Sequence, residues 1–125
     1  MQDQCVPNAV NQSDKLVELE STPEEPIPAG KRAYRVFGSR FELPAHFEAK
    51  EPVGSGAYGV VLAVKDTLAE EGNNIFAIKK VEKAFEHKVF ALRTLRELKI
   101  MRLLDHDNIL SIQSILMPDS METFD

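Results

Sequence analysis

A cluster of glycines near the middle of the chain is the feature whose spacing most directly suggests chemistry. Because glycine has no Cβ, a glycine-rich backbone can turn tightly and bring its amide groups close to phosphate oxygens. The pattern alone is weak evidence, since a plain hairpin with a flexible turn is a competing interpretation. A two-residue turn, however, needs only one or two glycines. The cluster reads Gly54-Ser55-Gly56-Ala57-Tyr58-Gly59 and continues into Val60-Val61.

Two adjacent lysines, Lys79 and Lys80, follow the glycine cluster along the chain. A lysine on the strand after a glycine hairpin can neutralise phosphate groups as a point charge. Side chains alternate across a strand, so only one of the two can point toward the glycines. We predict Lys79, because Ala77 would share its face and leave room for a planar base, and we keep Lys80 as the weaker alternative. Two solvated lysines at a strand end are the competing interpretation.

A carboxylate is needed to hold such a long lysine side chain in one rotamer, and Glu97 is the candidate. Glu97 also follows Arg93 by four residues, which would allow a local ion pair on a helix surface worth about 0.3–0.5 kcal/mol. For an isolated glutamate the local pair would be the better interpretation. The order of glycine cluster, lysine and helix acid favours a nucleotide-binding site instead.

These residues must be held by regular elements, and the hydrophobic pattern indicates which ones. The continuous apolar and β-branched run over residues 60–64 predicts a buried strand. The glycines would therefore lie at the tip of a β-hairpin. In a dinucleotide-binding βαβ unit the same glycines would open a helix, so a strand at this position argues against that alternative.

Further strands are predicted on both sides of the glycine hairpin. Alternating apolar residues around Gly38 indicate a short hairpin between Tyr34 and Leu43. Residues 47–53 read as a strand, in which Pro52 is tolerable only at an edge or beside a bulge. Residues 75–78 and 109–117 are predicted as two more strands.

A single segment, residues 89–104, has a strong helical period. Apolar residues recur on one side of it, at Leu92, Leu95, Leu98 (or Ile100) and Met101. Basic residues occupy the other side, at Arg93, Arg96, Lys99 and Arg102. Residues 1–32 are polar, acidic and without any period, and we predict a disordered tail there.

Composition narrows the class of protein. The chain has 125 residues, enough for one modest domain and a tail. A formal net charge of −5 argues against general binding to nucleic acid or to a membrane surface. No apolar run approaches the roughly 20 residues that cross a bilayer. Cys5 is the single cysteine and has no internal partner, which indicates the cytoplasm or nucleus.

Charge is distributed unevenly along the chain. Residues 75–104 carry eight Lys or Arg against three Glu, whereas residues 105–125 carry five acids and no Lys or Arg. A basic stretch in an acidic chain suggests a local anion site. A solvated helix face is the plainer interpretation.

Taken together, the glycine cluster, Lys79 and Glu97 resemble the first landmarks of the protein kinase fold, and further residues resemble its MAP kinase branch. Phe85 precedes the Arg96-Glu97 pair by the interval that this branch shows, and residues 106–109 are similar to its His-x-Asn-Ile turn. The resemblance implies an α+β small lobe with a twisted antiparallel sheet and one helix equivalent to the family's C helix. Residues 33–46 would form the N-terminal hairpin extension, and residues 47–125 an incomplete kinase domain.

The resemblance also implies roles for individual residues. The glycine loop would cover the phosphates of ATP, Val53 and Val61 would pack on adenine and ribose, and Ala77 would lie above the base. Lys79 would bind the α- and β-phosphates and pair with Glu97. Arg93 and Arg96 are similar to the helix arginines that contact a phosphothreonine. In a complete kinase of this type, Mg²⁺ would accompany ATP, and the partners would be protein substrates, an upstream MAP kinase kinase and scaffold proteins.

The resemblance breaks off before several of the family's catalytic parts. The last sheet strand and the large lobe have no counterpart before Asp125, so we name no general base and no magnesium ligand. We therefore expect the complete kinase to transfer phosphate to protein serine or threonine, and this chain alone to be marginally folded and inactive. The alternative is a non-catalytic kinase-lobe module that binds a scaffold or an activator.

Overall fold

Two three-stranded antiparallel sheets form the described part of the chain up to Lys80. The computed structural model describes residues 15–123, and the chain divides after Lys80 into two compact units, described in turn below. The first sheet has the order β1-β2-β3 and the second the order β4-β5-β6. The strands are β1 (Leu16–Leu19), β2 (Lys31–Val36), β3 (Ser39–Pro44), β4 (Phe47–Gly56), β5 (Gly59–Asp66) and β6 (Ile75–Lys80).

The two sheets share one hydrophobic core, which their inward-facing side chains form. Because side chains alternate along each strand, the buried apolar residues of this core recur at every second position within β2, β3 and β5. Half-buried residues from the other strands, including Leu16, Phe47 and Ile78, pack against this core. Its buried members are Tyr34, Val36, Phe41, Leu43, Val60, Leu62 and Val64.

The predicted hairpin around Gly38 is confirmed. Phe37 and Gly38 form its two-residue turn with φ of 48° and 82°. A turn with positive φ at both positions matches the twist of the flanking strands, and glycine adopts that conformation without strain. The hairpin brings Tyr34 opposite Phe41 on the core-facing side.

The prediction of a disordered tail over residues 1–32 is wrong for part of that range. Leu16–Leu19 pairs with β2 as an edge strand, with Leu16 opposite Val36, and β2 itself begins at Lys31. Glu18 Oε1 accepts hydrogen bonds from Arg32 at 2.8 and 3.0 Å. Four residues are too short to show a period, and this strand gains its stability from a neighbour rather than from its own sequence. Residues 1–14 lie outside the described residues.

The segment between β1 and β2 is held to the first sheet by ionic contacts. Glu25 Oε2 lies 3.4 Å from both Arg35 Nη2 and Arg40 Nη1, and Arg40 Nη2 donates a hydrogen bond to the Pro26 carbonyl at 3.3 Å. Two local bonds to hydroxyls shape the segment, from Glu25 N to Thr22 Oγ1 and from Ile27 N to Ser21 Oγ. These contacts also run against the prediction of an unstructured tail.

Pro52 lies in β4 at a position where a strand tolerates proline. β4 is an edge strand of the second sheet, and its pairing with β5 shifts register between Ala49 and Glu51 and again between Pro52 and Gly54. Pro52 itself lies opposite Leu62, and the residues that the two bulges leave without a partner on β5 are Lys50 and Val53. An edge strand next to a bulge is a position where a residue without an amide donor is tolerated. The expectation of an edge position or a bulge is confirmed on both counts.

The second unit contains the helix α1 (Lys88–Leu103). The predicted range 89–104 is thus correct to within one residue. The less exposed side of α1 is formed by Ala91, Thr94, Leu98 and Met101, which follow the helical repeat. Leu92 and Leu95, predicted for the same side, are 49% and 54% exposed. Leu92 and Leu95 each follow a residue of that side, Ala91 and Thr94, by one position, which places them about 100° around the helix from it. The predicted pattern had left Ala91 and Thr94 out.

A turn follows α1, and the strand predicted after it does not form. Ile109 N and Asn108 N donate to the carbonyl and to Nδ1 of His106, each at 3.0 Å. Residues 109–117, which lie within the described chain, adopt no strand conformation, so this prediction is wrong. A strand is defined by hydrogen bonds to a neighbour, and within residues 15–123 no strand pairs with this segment. A short 3₁₀ turn, Met121–Thr123, comes last.

The α+β class predicted from the sequence is confirmed by these six strands and α1. Among the described residues, no helix is long and apolar enough to cross a membrane.

Candidate functional site

The glycine cluster forms the tip of the hairpin between β4 and β5. Gly56 pairs with Gly59, and Ala57 and Tyr58 make the two-residue turn between them. Gly59 has a φ of 132°, a conformation that other residues rarely adopt. Tyr58 is 66% exposed at the tip. The strand context predicted for the glycines is therefore present.

The backbone beside two of the glycines is open to approach. A Cβ atom placed on Gly54 or Gly56 would meet no heavy atom within 4 Å. A ligand can therefore reach this stretch of main chain on the side where other residues would carry a side chain. Oxygen atoms of a phosphate are suited to such an approach, because backbone amides are their usual donors in glycine-rich turns.

Strand β5 separates the core from the opposite face of the second sheet. Val60, Leu62 and Val64 point into the core, whereas Val61 and Ala63 are half-buried and point the other way. Val60, which was predicted among the ligand-binding residues, can therefore contribute its backbone but not its side chain.

The opposite face gathers several predicted residues in two rows across the sheet. Residues directly opposite each other in an antiparallel pair point to the same side. Gly54 lies opposite Val61, and Val61 lies opposite Lys79. Ala63 and Ala77 form the next row. We call this surface the outer face and define it by Gly54, Val61, Ala63, Ala77 and Lys79.

Lys80 points away from the outer face. Its Nζ donates a hydrogen bond to the backbone carbonyl of Arg40 in the first sheet and lies 5.9 Å from the centre of the Phe41 ring. Lys79 and Lys80 thus separate as strand alternation predicts, with Lys79 on the side of Ala77. The placement favours Lys79 over Lys80 as the phosphate-binding residue.

The remaining predicted residues of the loop border the outer face. Val53 lies between two residues that pair with β5, in the bulge after Pro52, and is 60% exposed. Ser55 is exposed opposite Val60, and Ala57 is exposed in the turn. The loop residues are thus contiguous with the row that contains Lys79.

Glu97, Arg93 and Arg96 belong to α1 in the second unit, where all three are exposed. Arg93 and Glu97 are one turn apart and share a side of the helix. Arg96 lines a shallow groove with mostly apolar neighbours, namely Leu92, Leu95, Lys99, Ile100 and Leu103. The pairing of Glu97 with Lys79 remains a prediction.

Two contacts of the first unit were not predicted from the sequence. One is the bond from Lys80 to the Arg40 carbonyl, and the other joins Tyr34 Oη to the Phe47 carbonyl at 3.4 Å. Alternation indicated that Lys80 faces away from Lys79, but the acceptor is a backbone atom forty residues earlier, which no side-chain pattern reveals. Within residues 15–123, no group of three His, Cys, Asp or Glu is arranged to hold a metal ion.

Comparison with known proteins gives a consistent match to one family. A family model for the protein kinase domain matches residues 47–122. Mitogen-activated protein kinase homolog 1 of Petunia hybrida is 39% identical over 108 residues, which are 83% of this chain and 27% of that protein. Extracellular signal-regulated kinase 1 of Dictyostelium discoideum is 43% identical over 93 residues, 74% of this chain and 17% of that protein. Mitogen-activated protein kinase 3 of Arabidopsis thaliana is 42% identical over 93 residues, 74% of this chain and 24% of that protein. The chain spans about a quarter or less of the length of these relatives.

Proposed function

This chain belongs to the protein kinase family, and we propose that it forms the ATP-binding part of a serine/threonine kinase of the MAP kinase type. The single observation that carries the proposal is the row formed by Gly54, Val61 and Lys79. This row brings the glycine backbone of β4 and the lysine of β6 to one face of the sheet, on either side of β5. Neighbouring strands lie about 4.8 Å apart, so the three backbones span roughly 10 Å.

The outer face offers each part of ATP a suitable surface. The amides of residues 54–59 bind the phosphate oxygens, and Lys79 neutralises the α- and β-phosphates. Val53, Val61 and Ala77 provide apolar surface for adenine and ribose. Ala77 is small enough to admit a flat ring beside it.

The helix residues complete the proposal. By the pattern of the family we propose that Glu97 pairs with Lys79, since holding the ammonium in one rotamer lowers the entropy that the lysine loses on binding phosphate. Arg93 and Arg96 bind a phosphothreonine, since guanidinium groups pair well with phosphate. The role of Glu97 follows from the kinase pattern of a β-strand lysine paired with a helix glutamate. The role of Arg93 and Arg96 follows from their similarity to the family's helix arginines.

The activity of the whole protein is likewise a proposal. It would transfer the γ-phosphoryl group of ATP to serine or threonine of protein substrates, under control of an upstream MAP kinase kinase and with scaffold proteins as partners. Mg²⁺ bound with ATP would neutralise charge on the phosphates. The cytoplasm and nucleus are the proposed compartments.

A nucleotide titration of the 125-residue chain tests the proposal. Calorimetry with ATP should show saturable binding, and Lys79→Met should weaken it by about 10- to 100-fold, the value of one charge-assisted hydrogen bond. Lys50→Met is the matched control, because Lys50 is an exposed lysine of β4 outside the outer face. Equal affinity of wild type and Lys79→Met would contradict the proposal.

A further inference from the structure

Lys80 connects the two sheets of the first unit at the end of β6. Its Nζ bonds to the Arg40 carbonyl and lies 5.9 Å from the Phe41 ring centre, so the ammonium has both an acceptor and an aromatic face. The side chain is half-buried, unlike that of the exposed Lys79 next to it. A lysine is rarely removed from water without such partners.

The Arg40 carbonyl is an acceptor that the first sheet leaves available. Val36 and Ser39 close the two-residue turn of the β2–β3 hairpin, and hydrogen-bonded pairs alternate along an antiparallel ladder. Ser39 and Phe41 therefore bond to β2, while the carbonyl of Arg40 points away from it. Because β3 is an edge strand, this carbonyl has no strand neighbour in its own sheet. Lys80 supplies the donor.

The end of β6 needs such an anchor. β6 is an edge strand of the second sheet, so it is held from one side only, and Lys79 and Lys80 are its last two residues. A strand end of this kind frays more readily than the middle of a sheet. Fixing Lys80 against the first sheet opposes fraying, and alternation then directs Lys79 to the outer face.

We propose that Lys80 is a positioning residue for Lys79, and that the first sheet thereby determines how the phosphate-binding lysine is presented. The inference rests on the proposed binding of ATP at the outer face. Lys80 thereby has a function of its own, rather than that of an alternative phosphate-binding residue to Lys79.

ATP affinity measured for four variants tests this inference. Lys80→Met should weaken ATP binding by roughly 3- to 10-fold, the value of one ordinary hydrogen bond. Lys80→Arg, which keeps a cationic donor, should bind within about twofold of wild type. Lys80→Gln, shorter and neutral, provides a second loss variant with the same expected direction if Lys80→Met folds poorly.

The double variant Lys79→Met/Lys80→Met separates positioning from a structural role. If Lys80 acts through Lys79, the double variant should bind ATP no more weakly than Lys79→Met alone. Additive losses would overturn the inference, because Lys80 would then act on the fold or on the nucleotide itself. Wild-type affinity of Lys80→Met and Lys80→Gln would also overturn it. Equal affinity of wild type and Lys79→Met would instead defeat the proposed function, so the two failures are distinguishable.

Discussion

At the scale of single residues, Tyr34 joins the first sheet to the start of β4. Its side chain is 3% exposed, and its hydroxyl donates to the Phe47 carbonyl at 3.4 Å. Burial raises the pKa of Tyr34 above its usual value of 10.0, although a backbone hydrogen bond from Ala49 and the charge of Arg32 oppose the shift. The folded chain therefore favours the protonated phenol.

This pKa shift predicts a pH dependence of stability. A raised pKa in the folded state contributes stability that is present below pH 10.0 and is lost as the pH rises through the folded pKa. Tyr34→Phe should cost about 0.5–1.5 kcal/mol at pH 8 through the lost hydrogen bond. It should also lose less stability than wild type between pH 8 and pH 11. Urea unfolding at both pH values measures this, and identical pH dependence of the two proteins would contradict it.

The glycines of the loop predict a second residue-scale contrast. Gly56→Ala should leave the melting temperature nearly unchanged, because the added Cβ meets no atom within 4 Å, yet it should weaken ATP binding. Gly59→Ala should destabilise the chain by about 1–3 kcal/mol, since φ at this position is 132°. Thermal melts and ATP titrations of both variants provide the measurements. A large loss of stability in Gly56→Ala would show that the glycine serves the fold.

At this scale, strand periodicity was sufficient to place Lys79 with Ala77 and to set Lys80 apart. It was not sufficient to find the partner of Lys80, because that partner is a main-chain carbonyl in another sheet. Hydrogen bonds of this kind depend on the tertiary arrangement and cannot be predicted from the local sequence, because every residue has a backbone carbonyl.

At the scale of elements, the success of prediction follows the strength of the local signal. The run at β5 and the proline in β4 carry clear physical constraints, and both were interpreted correctly. β1 and residues 109–117 show the opposite. Leu16–Leu19 is a strand because a neighbour pairs with it, and the apolar residues 109–117 form none because, within the described chain, no neighbour does.

Strand β1 is the element that differs most clearly from the sequence-based prediction, which was a disordered tail over residues 1–32. Leu16→Ala should destabilise the chain by about 1–2 kcal/mol, because Leu16 packs on the core and loses buried methyl groups. Val17→Ala is the control, since Val17 is 46% exposed, and its effect should stay within about 0.5 kcal/mol. Denaturant unfolding compares the two. Equal and negligible effects would mean that residues 16–19 behave as a disordered tail.

At the scale of the whole molecule, the family model for the protein kinase domain matches from residue 47, whereas the hydrophobic core also contains residues that precede it. Tyr34, Val36, Phe41 and Leu43 of the first sheet cover the buried side of β5. The first sheet is therefore part of the structure that supports the hairpin with the glycine cluster, although it precedes the residues that the family model matches.

A truncation tests this dependence. A chain of residues 47–125 retains every residue that the family model matches but would expose Val60, Leu62 and Val64 to water. We expect it to lack a cooperative unfolding transition and to associate through the uncovered sheet. Circular dichroism melts and size-exclusion chromatography, with residues 15–125 as the control, measure the difference. A monomeric, cooperatively folded 47–125 chain would contradict the shared core.

The central claim, that the outer face binds the phosphates of ATP, is tested most directly by an amide NMR titration of the 125-residue chain with ATP. The structure predicts the largest shifts at residues 54–61 and 77–79, with far smaller changes at Leu16–Leu19. The same titration with Lys79→Met should need much higher ATP concentrations. Shifts confined to Lys88–Leu103, or none at the glycine hairpin at saturating ATP, would contradict the claim.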